Sequence, residues 1–151
     1  MPGVDEVADK LAIQELIARY PILLDGGAFD RLGELFTPDA RIDFSAFGGP
    51  VGSPAEIVRF LTDALGVFRR TQHMMGLPAI TLDGNRATAR TSCNNPMVID
   101  NPDGSTAVWL IGLWYDDDFV RTPDGWRFSG RRQERCYSIV GLPDTALGGD
   151  R

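Results

Sequence analysis

The chain of 151 residues contains one histidine, His73, and that scarcity excludes any metal centre built from two or more imidazoles. Cysteine is almost as rare. Cys93 and Cys136 lie far apart with no CxxC spacing, so neither a disulfide framework nor a zinc site is expected, and two buried free thiols are. Positive charge is also in short supply: the net charge is −6 and the isoelectric point about 4.7, which argues against nucleic acid as a partner. Lys10 is the only lysine among the 15 basic residues, a bias that says nothing about function. No apolar run approaches the ~20 residues that span a bilayer. The opening MPGVDEVADK has neither a basic nor an apolar leader segment, so no membrane association and a cytoplasmic location are expected. Glycine-rich phosphate loops are missing as well, because DGGAFD and FGGP lack the strand-to-helix setting such loops need, and neither G-x-S-x-G nor H-E-x-x-H occurs.

What remains is ordinary globular material, 43% hydrophobic and 24% charged, of a size suited to one core. One domain over residues 1–140 is expected, with 141–151 as a tail. In the first third, Ala12, Leu16 and Tyr20 recur beside Ile13, Ile17 and Leu24 at helical spacing, with Asp5 as a candidate cap. Pro21 should interrupt this helix and Gly26-Gly27 should end it. A short helix over Phe29 to Phe36 and a strand over Ala40 to Phe44 follow. Ser53-Pro54-Ala55-Glu56 then opens a helix running to about Leu65.

Beyond His73 the periodicity changes to two. Strands are expected over Gly76 to Leu82, Arg86 to Ile99, Thr106 to Val120 and Trp126 to Ile139, separated by the turns Asp83-Gly84-Asn85, Asn101-Pro102-Asp103-Gly104 and Thr122-Pro123-Asp124-Gly125. Helices first and a meander of long antiparallel strands after them predict an α+β fold, the helices gathered on one face of a bent sheet. Along the second strand the odd-numbered residues Ala87 to Ile99 make the apolar face, which turns Asn95 inward and Asn94 outward. The run Asp116-Asp117-Asp118 alternates sides and reads as a solvated strand end rather than a cation site. Arg131 and Arg132 face opposite ways, so one of them at most reaches an interior cavity.

The chemistry available to such a chain is proton transfer. Histidine is the side chain whose unperturbed pKa lies nearest neutrality, which makes His73 the best general base present, although a lone histidine can equally be a structural one bonded to backbone. A catalytic imidazole needs a carboxylate to fix its tautomer. Asp25, at the end of the apolar stretch YPILLD, is the leading candidate, with a plain helix-terminal loop residue as its alternative. Tyr20 lies on the apolar stripe, so its hydroxyl needs an inward partner. Positions 20 and 25 are about 140° apart on an ideal helix, so both can enter one cavity only if Pro21 kinks the helix or it unwinds. Phe44, Phe68, Met74, Met75, Trp109 and Trp114 are available for an apolar pocket or a subunit contact.

The order and spacing of LAIQELIARYPILLDGGAFDRLGELFTPDARIDF, GSPAEIVRFL, TQHMMG, DGNRATA and DGWRFSGRR resemble the SnoaL-like branch of the nuclear transport factor two-like superfamily, over nearly the whole chain. That resemblance implies a cone: a strongly curved antiparallel sheet around a pocket, its wide end closed by the N-terminal helices. Within the branch the chain is most similar to the subgroup of scytalone dehydratase, hexachlorocyclohexane dehydrochlorinase and bile acid 7α-dehydratase. His73 and Asp25 fall where the subgroup has its histidine and aspartate dyad. Tyr20 matches the tyrosine five residues before the dehydratase aspartate, where the dehydrochlorinase has lysine. Asn95 lies near a polar dehydratase position, and Arg131 matches a pocket arginine of the dehydrochlorinase.

The resemblance implies a cofactor-independent lyase, acting by β-elimination on a hydrophobic cyclic or polycyclic small molecule. His73, Asp25 and Tyr20 would be catalytic; Asn95, Arg131 and Trp109 would bind substrate; no metal would take part. An isomerase or cyclase using the same dyad, or a binding module, are the alternatives. The relatives form dimers or trimers through the outer sheet surface. Because Val108, Leu110 and Trp114 here lie opposite Trp109, Ile111 and Leu113, both faces of the strand are apolar, and a homotrimer is expected.

Overall fold

A computed structural model describes residues 3–143. Its first element is helix α1, Val4–Asp25, which buries Ile13, Leu16, Ile17, Tyr20, Leu23 and Leu24 along one stripe. Gly3 is the N-cap, with its N–H donating to Glu6 Oε2 at 3.3 Å, so Asp5 sits in the first turn, where its charge suits the helix dipole, and does not cap. Pro21 lies inside α1 without ending it, and the helix runs on to Asp25. The expected unwinding is absent because Tyr20 and Asp25 do not share a cavity, as described below. Gly26 then caps the helix and Gly27, at φ 72°, turns the chain out of it.

A 3-10 segment, Phe29–Leu35, stands where the second short helix was expected and leads into strand β1, Phe36–Asp43. Another 3-10 turn, Ser45–Phe47, precedes the two-residue strand β2, Val51–Gly52. Helix α2, Pro54–Leu65, has the bounds its opening sequence predicts. Glu56 N–H donates to Ser53 Oγ at 3.4 Å while Glu56 Oε2 accepts from Ser53 N–H at 2.8 Å, closing the capping box. Ser53→Ala removes the acceptor of the Glu56 N–H and the hydroxyl that donates to Glu56 Oε2, and is expected to lower stability by about 1 kcal/mol in a urea titration, with the slope unchanged.

The sheet then builds from β3, Arg70–Thr71, β4, Met74–Met75, β5, Ala79–Asp83, β6, Arg86–Asp100, β7, Thr106–Thr122, and β8, Gly125–Pro143. The strand expected over Gly76 to Leu82 thus starts only at Ala79 and runs to Asp83, after Pro78, whose missing N–H cannot give a ladder bond. The order is β2-β1-β8-β7-β6-β3, with β4 and β5 also on β6. Hairpins join β5 to β6, β6 to β7 and β7 to β8, so their pairing is antiparallel, whereas β1 meets β8 in parallel and the sheet is mixed. Three register irregularities between β7 and β8 add local twist, and the sheet curves around α1. The last strand includes residues 141–143, formerly assigned to a tail; residues 144–151 of that tail lie outside those described.

Inside the curve, Ala87, Ala89, Thr91, Cys93, Asn95 and Met97 of β6 are buried, as the odd-numbered face predicts, while Cys136 on β8 is exposed, against expectation. Small side chains there let α1 pack close, with Tyr20, Phe36, Tyr115, Phe119 and Phe128 completing the core. No helix among the described residues is long and apolar enough to cross a membrane.

Candidate functional site

The loop between β3 and β4 carries His73 to the inner wall of a cavity of about 400 Å³. Short strands on either side hold it there: Thr71 pairs with Met97, and Met74 with Asn94, so the loop is anchored to β6 on both sides of the imidazole. Tyr20, Asn95, Trp109, Phe44, Phe68 and Met97 also line the cavity, and Phe68 meets Trp109 edge-on with ring centroids 5.3 Å apart. Of the six residues the sequence offered for an apolar pocket or a subunit contact, Met74 is exposed and Trp114 faces outward under the Arg90 guanidinium. Met75 packs on the core instead.

Asp25 approaches His73 from the other side. Its carboxylate lines a separate groove of about 780 Å³, with Pro21, Ile22, Arg70 and Val98, and only His73 borders both spaces. An unbroken helix therefore suffices: Tyr20 points into the cone while Asp25 backs the imidazole from outside. Asp25 Oδ1 lies 2.6 Å from His73 Nδ1 and accepts from Thr71 Oγ1 at 2.7 Å, and Oδ2 accepts from the His73 backbone N–H at 2.7 Å. Partial burial pushes the Asp25 carboxyl up, but the His73 side-chain bond and charge, with the His73 backbone and Thr71 bonds, outweigh it and hold its pKa below the ordinary value. The carboxylate can only accept, so Nδ1 carries the ring proton. In the neutral ring Nε2 then keeps its lone pair, and Asn95 Nδ2, 2.9 Å from it, donates to that lone pair.

Tyr20 is 1% exposed, and its hydroxyl has no hydrogen-bond partner among the described residues. Burial pushes its pKa to about 12, against the pull of the Arg131 charge, so the phenol stays a neutral donor. A buried O–H without a partner is costly and marks a place where a ligand oxygen would be welcome.

Arg131 is not where the sequence reading put it. It is not among the described residues lining the cavity; it is buried, bonded through Nε and Nη2 to the Asp117 carboxylate at 2.7 and 2.9 Å. Its guanidinium carbon lies 4.2, 4.0 and 4.4 Å from the ring centroids of Tyr20, Tyr115 and Phe128. Burial disfavours this charge, yet Asp117 beside it more than compensates and raises the arginine pKa. Asp117 is accordingly no solvated residue: it is 2% exposed, while its neighbour Asp116 bonds Arg90 and Arg132 on the outside.

Two contributors escaped the sequence reading. Thr71, at the end of β3, bonds the Asp25 carboxylate beside His73, a contact no spacing announces, whereas Asp117 shares its parity with the inward Tyr115 and Phe119, a signal that was present. Among the described residues no group of three or more histidine, cysteine or acidic side chains could hold a metal ion.

Comparison with known proteins agrees with this architecture. Residues 5–132 match the family model described as a SnoaL-like domain. An uncharacterized protein of Mycobacterium tuberculosis is 44% identical over 137 residues, 91% of this chain and 92% of its own length. The crystal structure of a hexachlorocyclohexane dehydrochlorinase superposes with a TM-score of 0.80 at 18% identity, covering 96% of this chain and 98% of that one. A scytalone dehydratase-like protein of Novosphingobium aromaticivorans gives 0.79 at 17% identity, covering 97% of both chains. At those identities the two structures share the fold.

Proposed function

The chain belongs to the SnoaL-like domain family, and on that premise we propose that it is a cofactor-independent lyase which removes water from a hydrophobic cyclic molecule activated by a carbonyl. The observation that carries this reading is the orientation of the only imidazole, held through Nδ1 by an ionised aspartate with its other nitrogen on the side of an apolar cavity. Nε2 of His73 takes a proton from the carbon next to the carbonyl, and the electron pair moves onto the carbonyl oxygen, where the Tyr20 hydroxyl donates to it. Asp25 stabilises the imidazolium. The enolate then collapses, the β C–O bond breaks, and the proton held on Nε2 leaves with the hydroxyl as water. A positioned base contributes ~10²–10⁴-fold and an oxyanion donor ~10²–10³-fold, enough for an activated substrate. The structural names of the two neighbours above, a dehydrochlorinase and a dehydratase-like protein, fit the same reaction class.

The test is incubation of the protein with a panel of cyclic β-hydroxyketones in D₂O, followed by mass spectrometry. Loss of water is expected from at least one bicyclic member, and none beyond background with His73→Gln. Deuterium incorporation without loss of water would instead assign an isomerase, and tight binding with neither would assign a binding module. The half-buried outer residues Pro96, Val98, Val108, Leu110 and Trp114 form the surface we propose for assembly into a homotrimer.

A further inference from the structure

The contact between Asn95 and His73 poses a chemical problem. Asn95 Nδ2 can only donate, and here it donates to the lone pair that a general base must keep free. Its Oδ1, meanwhile, is buried with no partner among the described residues, in a side chain 1% exposed on the cavity wall. In this resting arrangement the amide covers the base and leaves an unsatisfied acceptor in a residue of the cavity wall.

Protonation of Nε2 inverts the requirement. Nε2–H is a donor, Nδ2 facing it would be donor against donor, and a turn of the amide by about 180° restores the bond with Oδ1 accepting. The same turn puts Nδ2–H where Oδ1 had been. We propose that the Asn95 amide reverses when His73 takes up a proton, so that this point of the wall accepts a hydrogen bond from the substrate before proton transfer and donates one after it. A group that suits both states must be donor and acceptor in turn, which a hydroxyl is and a halide is not. Asn95 is thus the residue that selects a hydroxylated substrate, and its inference rests on His73 being the base.

Of the ionisable groups around the ring, Asp25 and Tyr20 come from α1, Arg70 from β3, Cys93 from β6, Tyr115 from β7 and Arg135 from β8. Asp25 alone among them bonds the imidazole. Burial pushes the Cys93 thiol and the Tyr20 phenol each to about 12, so neither ionises alongside a histidine.

The experiment uses the uniformly ¹⁵N-labelled protein without substrate, because its only histidine gives one pair of ring-nitrogen signals. As the pH is lowered, Nε2 is expected to pass from unprotonated to protonated. The Asn95 amide protons, identified by their loss in Asn95→Leu, should move with the same midpoint. In parallel, 2-naphthol should bind the wild type about tenfold more tightly than 2-chloronaphthalene at high pH, the worth of one hydrogen bond, and Asn95→Leu should erase the difference. A neutral ring with its proton on Nε2, Asn95 protons that ignore the His73 midpoint, or equal binding of the two probes would overturn the proposal. None of these readouts needs turnover, so a His73→Gln protein that still removes water would refute the base and leave the amide reversal standing.

Discussion

His73→Ala is expected to retain its fold and lose turnover by about three orders of magnitude, within the ~10²–10⁴-fold range of a positioned base. The fold survives because the imidazole is not what anchors its loop. Asp25 keeps the residue-73 backbone N–H and the Thr71 hydroxyl, both at 2.7 Å, and β3 and β4 remain paired to β6. Asp25→Asn should be at least as damaging, by a different route. The amide oxygen must stay on the backbone N–H, so the NH₂ group faces Nδ1 and donates to it. The ring is then driven to the Nε2–H tautomer, and the lone pair moves to the wrong nitrogen. Loss of ~10⁴-fold is the scale seen when a carboxylate that orients a catalytic imidazole becomes an amide. Rates for both variants, beside circular dichroism and Tm, check the pair of expectations. A large fall in Tm would mean that the dyad is a structural strut, and activity within tenfold of wild type would remove His73 from the mechanism.

Much of this site could be read from spacing. Period two along β6 turned Asn95 inward, and the same parity separated Arg131 from Arg132 correctly. The opening of α2 specified its own start to the residue. What spacing could not say is which inward residues share a cavity. Tyr20 and Asp25 looked incompatible on one helix because a single pocket was assumed, whereas the imidazole forms a partition and each contacts a different side of it. Similarly, Arg131 points inward as its parity requires, yet an inward arginine can end in a pocket or in an ion pair. The decision lay with Asp117, directly across the β7–β8 ladder from it, and that register depends on bulges no alternation pattern reveals. Proline behaved likewise: Pro21 was tolerated where the flanking turns of α1 are packed, while β5 begins only after Pro78.

The Arg131–Asp117 pair leads to the second large expectation, on stability. Both side chains are fully shielded from water, and no solvent is at hand to screen a charge left alone. Asp117→Ala or Arg131→Ala should each cost about 3–5 kcal/mol, because the survivor is left as a buried charge without its partner. Removing both charges is a different matter. Desolvation of two ions offsets most of their attraction, so Arg131→Met with Asp117→Leu is expected to recover nearly all of the loss, and the double variant to fall within about 1 kcal/mol of wild type by denaturant titration. A double variant as unstable as the singles would show that the guanidinium stabilises chiefly by packing its flat face on three aromatic rings rather than through its charge. That distinction bears on the site, since the Tyr20 ring is one of the three and its hydroxyl needs a fixed direction to meet a substrate oxygen. If the aromatic stack is the stronger term, the same double variant should also loosen Tyr20, and its turnover should fall although His73 and Asp25 are untouched.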